Sequence, residues 1–306
     1  MPEEPIFNLR VAGTNIRFLR VDSSFSIRYN GSEKHFLVRN SLASPDSFIN
    51  YDGRIIKRSI NEFPNWAIVF KGKPWGNYES PYNWHVGISD KKVAIHINFI
   101  ESNDLNNACI VIDPELKTVD LLLDSKESQY EFFPYLNPIG VLLQIYLLHF
   151  AGGFMLHGSS VVLNDMGFVF SGLSGIGKST MAGLWQQQGA TVINDDRLAI
   201  MPFDNGFHAH NTPMPYYDDY PKSAPIKALF LLEQSTQHTY RKLSRSEAVV
   251  RVMANCMQHF HTSDYVIKHI EILTEFVNRV PVYHLGFTPT ADVVDFVLKL
   301  IENDHQ

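Results

Sequence analysis

The chain has 306 residues, 45% of them hydrophobic, enough to bury one large core or two ordinary ones. A 12% aromatic content excludes a disordered chain, and a net charge of −6 carries no basic excess of the kind that binds nucleic acid or an anionic membrane. The two cysteines, Cys109 and Cys256, stand apart without CxxC or CxxH spacing, which excludes a disulfide framework and a structural zinc site and fits a reducing compartment.

The N-terminal MPEEPIFNLR lacks the basic stretch followed by an apolar one that a secretory signal needs, so the sequence predicts a cytoplasmic protein. The first 125 or so residues alternate in short runs. In SIRYNGSEKHFLV the pair Asn30-Gly31 lies between two strand-like stretches and predicts a hairpin. WHVGISDKKVAIHINFI and ACIVIDPELKTVDLLLD repeat the pattern, with turns at Ser89-Asp90 and Asp113-Pro114. This region, residues 1–125, therefore reads as antiparallel β. Trp66, Trp75 and Trp84 read as its core or rim, and no carboxylate pair, metal cluster or glycine loop marks it as catalytic. A role in recognising substrate is left open for it.

From about residue 126 the period changes, and 126–306 reads as an α/β domain. IGVLLQIYLLHFAGGFML (139–156) is apolar enough to raise a membrane span, but Gln144, His149 and Gly152-Gly153 interrupt it. It predicts a buried helix, within a helical run from 134 to 150, that stops at the glycines. FMLHGSSVVL and GFVFSG follow as strands about the turn Asn164-Asp165. A helix is predicted over 179–188, with Met181, Leu184 and Trp185 on one face and Gly189 at its end. Then come the strand TVINDDRLAI, the strand IKALFLLEQ, and a helix begun by the capping box Ser244 to Glu247. A helix over 264–280, the strand PVYHLGF and a helix from 290 to about 303 complete the chain.

Gly172-Leu-Ser-Gly-Ile-Gly-Lys-Ser179 satisfies GxxxxGK[ST] at every specified position. An apolar strand leads into it and a helical pattern leaves it, the arrangement that aims backbone N–H groups at a phosphate. Gly172, Ser174, Gly175, Ile176, Gly177, Lys178, Ser179 and Thr180 are the predicted nucleotide cradle, with Lys178 on the β- and γ-phosphates and the Ser179 hydroxyl on Mg²⁺. A helix of about 15 Å followed by a short parallel strand, Thr191 to Asn194, would return beside the loop strand. Asp195 and Asp196 would then emerge at the sheet edge that carries the loop, one completing the Mg²⁺ shell and the other facing an incoming hydroxyl as base. The competing expectation is that Asn194-Asp195-Asp196 merely caps a strand end.

HGSSVVLNDMGFVFSGLSGIGKSTMAGLWQQQGATVINDDRLAI (157–200) resembles the catalytic domain of HPr kinase/phosphorylase and the broader HPr-kinase-related group, which shares a P-loop architecture with ATP-dependent phosphoenolpyruvate carboxykinase. The shared pattern is a His-Gly pair before the loop, the loop, and an Asp-Asp after the next strand. The resemblance implies a phosphoenolpyruvate-carboxykinase/HPr-kinase-like core, Asp195 as general base toward a serine hydroxyl, Asp196 as metal ligand and His157 near the transferred phosphate. Taken alone, His157 before a glycine would be a satisfied strand-end histidine.

The sequence also departs from that group. Members that phosphorylate HPr carry acidic residues where this chain has Leu173 and Thr180, and the glycine-rich signature tied to phosphorylase activity is not found. The resemblance therefore implies neither HPr as acceptor nor a reverse reaction. The first 125 residues look more like those of related kinases of uncertain substrate, a group that includes enzymes acting on free serine and on ribosomally made peptide precursors.

The expectation is an ATP- and Mg²⁺-dependent kinase that phosphorylates a hydroxyl, foremost a serine of a protein or peptide. Its partners would be a nucleotide and a protein, peptide or small hydroxyl acceptor, with no nucleic acid or membrane, and a homo-oligomer left open. A non-catalytic nucleotide-binding scaffold, a free-serine kinase and a carboxykinase-like enzyme are the alternatives. Arg197, Arg241, Lys242, Arg245 and Arg251 are candidates for the cation that stabilises the transferred group. His208, His210 and the tyrosine-rich 213–220 stretch line either an acceptor site or an ordinary surface loop.

Overall fold

The computed structural model describes residues 6–29, 32–39, 48–59, 66–72, 82–100, 104–204, 206–214, 219–258, 260 and 262–304. The Asn30-Gly31 turn, Trp75 and residues 215–218 of the tyrosine-rich stretch lie outside the described residues. The chain divides into two compact units. The first comprises residues 1–150 with 213–220 and 259–263, and the second comprises 151–212, 221–258 and 264–306. The division falls after the apolar helix, whereas the texture of the sequence changes near residue 126.

The first unit is built on β1 (Phe7–Val11), β2 (Thr14–Val21), β3 (Phe25–Ile27), β4 (Leu37–Arg39), β5 (Ile49–Lys57), β6 (Ala67–Lys71), β7 (Tyr82–Ser89), β8 (Lys92–Phe99), β9 (Leu105–Asp113), β10 (Thr118–Ser125) and β11 (Tyr130–Phe132). Nine of these form one sheet in the order β4-β1-β2-β5-β10-β9-β8-β7-β6. Two of the expected hairpins are present. β7 and β8 turn about Asp90-Lys91, and β9 and β10 pair from Asp113 opposite Thr118. Both Asp90 and Lys91 have positive φ, the paired left-handed turn whose twist matches that of its strands.

Two expectations for this unit need correcting. The strands flanking Asn30-Gly31 do not pair with each other, because β3 pairs with β11 and β4 with β1. Nor is the sheet purely antiparallel: β5 runs parallel to both β2 and β10. Turn signals report neighbours in sequence, whereas β5 is joined to these partners by long stretches of chain. The helix α1 (Ile139–Phe150) is buried from Ile139 to His149, as the interrupted apolar run predicts for a core helix. Among the described residues no helix is long and apolar enough to cross a membrane.

The second unit comprises β12 (Phe154–Leu163), β13 (Met166–Ser171), α2 (Lys178–Gln187), β14 (Thr191–Phe203), β15 (Gly206–His210), β16 (Ser223–Gln234), β17 (Thr239–Lys242), α3 (Arg245–Met253), α4 (Ser263–Arg279), β18 (Val282–Phe287) and α5 (Asp292–Asn303). Its seven strands run β13-β12-β14-β15-β16-β18-β17, and β13 also pairs with β16. Pairing therefore closes on itself through β13, β12, β14, β15 and β16, with β18 and β17 continuing from β16.

Side chains alternate across this sheet into two cores. Leu156, Val169, Leu198, Leu229 and Leu231 pack with Val252 of α3 and Leu273 and Phe276 of α4. Phe168, Phe170, Phe230 and Leu285 pack with Met181 and Trp185 of α2 and Val293 and Val297 of α5. A sheet covered on both faces explains why the strand before the loop reads as an unbroken apolar run. Trp185 is fully buried against Phe168, ring centroids 4.6 Å apart, so the helix that follows the glycine loop is anchored by one of the largest side chains in the core.

The predicted strand after α2 forms, but its placement differs from expectation. β14 pairs antiparallel with β12, which lies between it and the loop strand β13. It also continues to Phe203, so the aspartates lie within a strand rather than at its end. β12 and β13 form a local hairpin about Asn164-Asp165, both at positive φ, and that pairing occupies the neighbouring position a crossover strand would have taken.

Candidate active site

The loop closes onto α2 through Gly177, which has φ 113° and supplies no side-chain cap. A side chain there would be strained by the backbone and would bring its Cβ to 2.9 Å from Phe287 Cζ, so glycine is demanded twice. With no side chain capping it, the first turn of α2 keeps its N–H groups for an external anion. The Lys178 ammonium donates to the carbonyls of Gly172 at 3.1 Å and Leu173 at 3.0 Å, which closes the lysine over its own loop. The Ile176 N–H is spent on the Leu173 carbonyl at 3.2 Å, and its side chain packs toward the α2/α5 core. Ser174, Gly175, Ser179 and Thr180 are exposed.

Cross-strand register brings the aspartates to this loop. Gly158 of β12 faces Ser171, the last residue of β13, on one side and Asp196 on the other. One step along, Ser159 faces Asp195, and one step back, His157 faces Arg197. The band therefore contains His157, Gly158, Ser159, Ser171, Asp195, Asp196 and Arg197, and Gly158 allows the strands to close because a Cβ there would lie 2.8 Å from the Phe170 carbonyl. A bulge between the Ser160/Asn194 and Val161/Val192 pairs precedes the aspartates. The Asn194 side chain holds it, accepting from the Asp195 N–H at 2.9 Å and donating to the Arg197 carbonyl at 2.6 Å.

Two serines brace the band. Ser171 donates its hydroxyl to the His157 carbonyl at 2.7 Å, and buried Ser159 donates to the Lys178 carbonyl at 3.0 Å. These serines and Asn194 are site residues that sequence reasoning did not single out. Ser159 and Ser171 sit in strands whose pairing a linear reading does not give.

Electrostatics separates the two carboxylates. Burial raises the Asp195 carboxyl above its ordinary value, a push that Asp196 adds to and that Ser179 and Lys178 oppose. Asp195 Oδ1 is buried without a hydrogen-bond partner. Asp196 is more open and receives Arg197 Nε on Oδ2 at 3.1 Å, with His157 Nε2 at 3.7 Å from Oδ1, beyond hydrogen-bond range. Burial and the Lys178 charge lower the His157 imidazole, while Asp196 partly restores it. Lys178 is lowered by burial against the pull of Asp196 and Asp195.

These groups fit Mg²⁺ with phosphates. No cluster of three or more His, Cys, Asp or Glu side chains that could cage a metal is present among the described residues, whereas a hydroxyl and two carboxylates beside a phosphate loop suit a cation that takes few protein ligands. Three of the other candidate cations are engaged elsewhere. Arg241 and Arg251 share Glu247, and Lys242 holds Asp304. His208 and His210 lie on strand β15 rather than in a loop.

Residues 122–295 match the family described as SynChlorMet cassette protein ScmC. That is more than half of the chain, which belongs to this family. Over 136 residues the chain is 28% identical to the HPr kinase/phosphorylase of Mycoplasmopsis pulmonis (strain UAB CTIP), a match that spans 44% of this chain and 44% of that protein. The chain is thus related to HPr kinase/phosphorylase. Among solved structures, the Hpr(Ser) kinase/phosphatase from Coxiella burnetii aligns at 12% identity and a TM-score of 0.30, covering 49% of this chain and 95% of that one.

Proposed function

We propose that this ScmC-family chain is an ATP- and Mg²⁺-dependent kinase with a phosphoenolpyruvate-carboxykinase/HPr-kinase-like core that transfers the γ-phosphate to a hydroxyl, foremost a serine of a protein or peptide. The observation that carries the reading is the register Ser171–Gly158–Asp196, which sets two carboxylates beside the phosphate loop. Kinship to an HPr kinase/phosphorylase supports it at the level of the family.

Asp195 is the base. Its partnerless Oδ1 can accept the proton of an incoming hydroxyl, and its raised pKa brings it nearer to the proton it must take. The acceptor oxygen forms a bond to the γ-phosphorus, the bond from that phosphorus to the bridging oxygen breaks, and its electron pair leaves on ADP. Lys178 swings from the Gly172 and Leu173 carbonyls to the β- and γ-phosphates. Ser179 and Asp196 would hold Mg²⁺, which neutralises phosphate charge when bound. Half-buried His157, lowered in pKa and therefore neutral at pH 7, donates a hydrogen bond near the transferred group without adding charge. Residues 1–125 serve acceptor recognition in this reading.

The test is incubation with γ-labelled ATP and Mg²⁺ against free serine, serine-containing peptides and candidate acceptor proteins, with and without EDTA. The expected result is label in one acceptor class, abolished by EDTA. Tight nucleotide binding with label released only slowly to water would overturn the kinase reading in favour of a nucleotide-binding scaffold.

A further inference from the structure

The five basic side chains that could stabilise a transferring phosphoryl group differ in what they already hold. Arg241 is bound through two nitrogens to the two oxygens of Glu247, at 2.8 and 2.7 Å. Arg251 lies 3.0 Å from the same Glu247, and Lys242 lies 2.5 Å from Asp304. Their side chains are 53%, 43% and 53% exposed, and Arg245 is exposed at the start of α3. Lys178 is needed at the loop itself.

Arg197 is different on each count. Its side chain is only 14% exposed and sits in the band of the candidate site, opposite His157. Only Nε is committed, to Asp196 Oδ2 at 3.1 Å. A guanidinium has five N–H donors, so four, on the two terminal nitrogens, meet no protein acceptor among the described residues. Its backbone is fixed meanwhile, because its carbonyl accepts from Asn194 Nδ2 at 2.6 Å and Thr212 Oγ1 at 3.3 Å. A guanidinium mounted on a fixed backbone, with its stem packed and its fork free, matches a phosphate in geometry and charge.

Resting on the kinase reading, we propose that Arg197 is the catalytic cation of this site, directing its two terminal nitrogens at the γ-phosphoryl group while Nε holds Asp196 in place. As the acceptor oxygen bonds to phosphorus, the acceptor proton passes to Asp195 and the electron pair of the broken bond passes to ADP. Arg197 then meets the charge spread over the equatorial oxygens of the transferring group. The same contact distinguishes ATP from ADP before any chemistry, since only ATP carries the group that Arg197 reaches.

The test is the equilibrium affinity for ATP and for ADP with Mg²⁺, by titration calorimetry, for wild type, Arg197→Ala, Arg197→Lys and the control Arg241→Ala. Arg197→Ala should weaken ATP about 10- to 100-fold, the range for a lost charge-assisted pair, and leave ADP within about twofold. Arg197→Lys keeps the charge without the fork and should fall between, which also covers a poorly folding alanine variant. Arg241→Ala should match wild type. In transfer assays the alanine variant should be partly rescued by added guanidinium, which a structural defect would not allow. Equal losses for ATP and ADP, or no loss, would overturn the assignment while leaving the kinase reading intact. Failure of the wild-type protein to bind either nucleotide would instead overturn both.

Discussion

The sheet of the first unit and the band beside the glycine loop of the second treat charge in opposite ways. In the first, Arg54 and Asp120 face each other in the parallel pair β5/β10 and join through two bonds of 2.6 and 2.5 Å. Arg17 likewise holds Asp52 from β2 to β5, and Asp113 accepts the Glu115 and Leu116 N–H groups of its turn as well as Lys92, which hold its carboxyl below the ordinary range. In the second, half-buried Asp195 leaves a buried oxygen unmatched and Arg197 leaves most of its donors unused. Satisfied pairs stabilise a sheet and do little else. An unmatched buried carboxylate oxygen beside the glycine loop costs stability, and both it and the free guanidinium fork are available to a ligand.

A large expected effect breaks the second region at its loop. Gly177→Ala strains the left-handed residue and drives a Cβ toward Phe287, so nucleotide affinity should fall by at least about two orders of magnitude, measured by calorimetry. Next comes Lys178→Ala, expected to reduce γ-phosphate transfer about 100-fold or more while the fold, followed by circular dichroism, stays intact.

A pH profile sharpens the comparison further. Asp195 must be ionised to act as base, and its pKa is raised from 3.8, so kcat/KM should fall on the acid side at a pH above the ordinary carboxylate range. The same shift has a stability consequence. A carboxyl whose folded pKa exceeds its unfolded one contributes stability that is full below the unfolded value and is lost as pH rises through the folded one. Ionised Asp195 therefore destabilises the fold at neutral pH, and Asp195→Asn should raise the melting temperature there. The smallest effect belongs to the first region: Arg54→Ala should cost no more than about 1 kcal/mol in denaturant unfolding and leave transfer unchanged.

Parts of this contrast were legible in the sequence. The glycine loop, α2 with its stop at Gly189, the capping box at Ser244 and the adjacent aspartates all follow from local chemistry, and the Ser244 hydroxyl does accept from the Glu247 N–H. The interposed strand β12 and the parallel placement of β5 were not legible, because pairing partners are chosen by long-range burial rather than by spacing. For that reason Ser159 and Ser171, ordinary strand residues in one dimension, reach the site only in three. Arg197 stood in the sequence beside four other basic candidates, and its burial, its place in the band and its hydrogen bonds separate it from them.

The most direct test of the account is γ-phosphate transfer by Asp195→Asn, measured on a preparation whose melting temperature at pH 7 is recorded beside wild type. The account predicts transfer reduced by about 1,000-fold or more in a protein at least as stable as wild type. Transfer at the wild-type rate would contradict it.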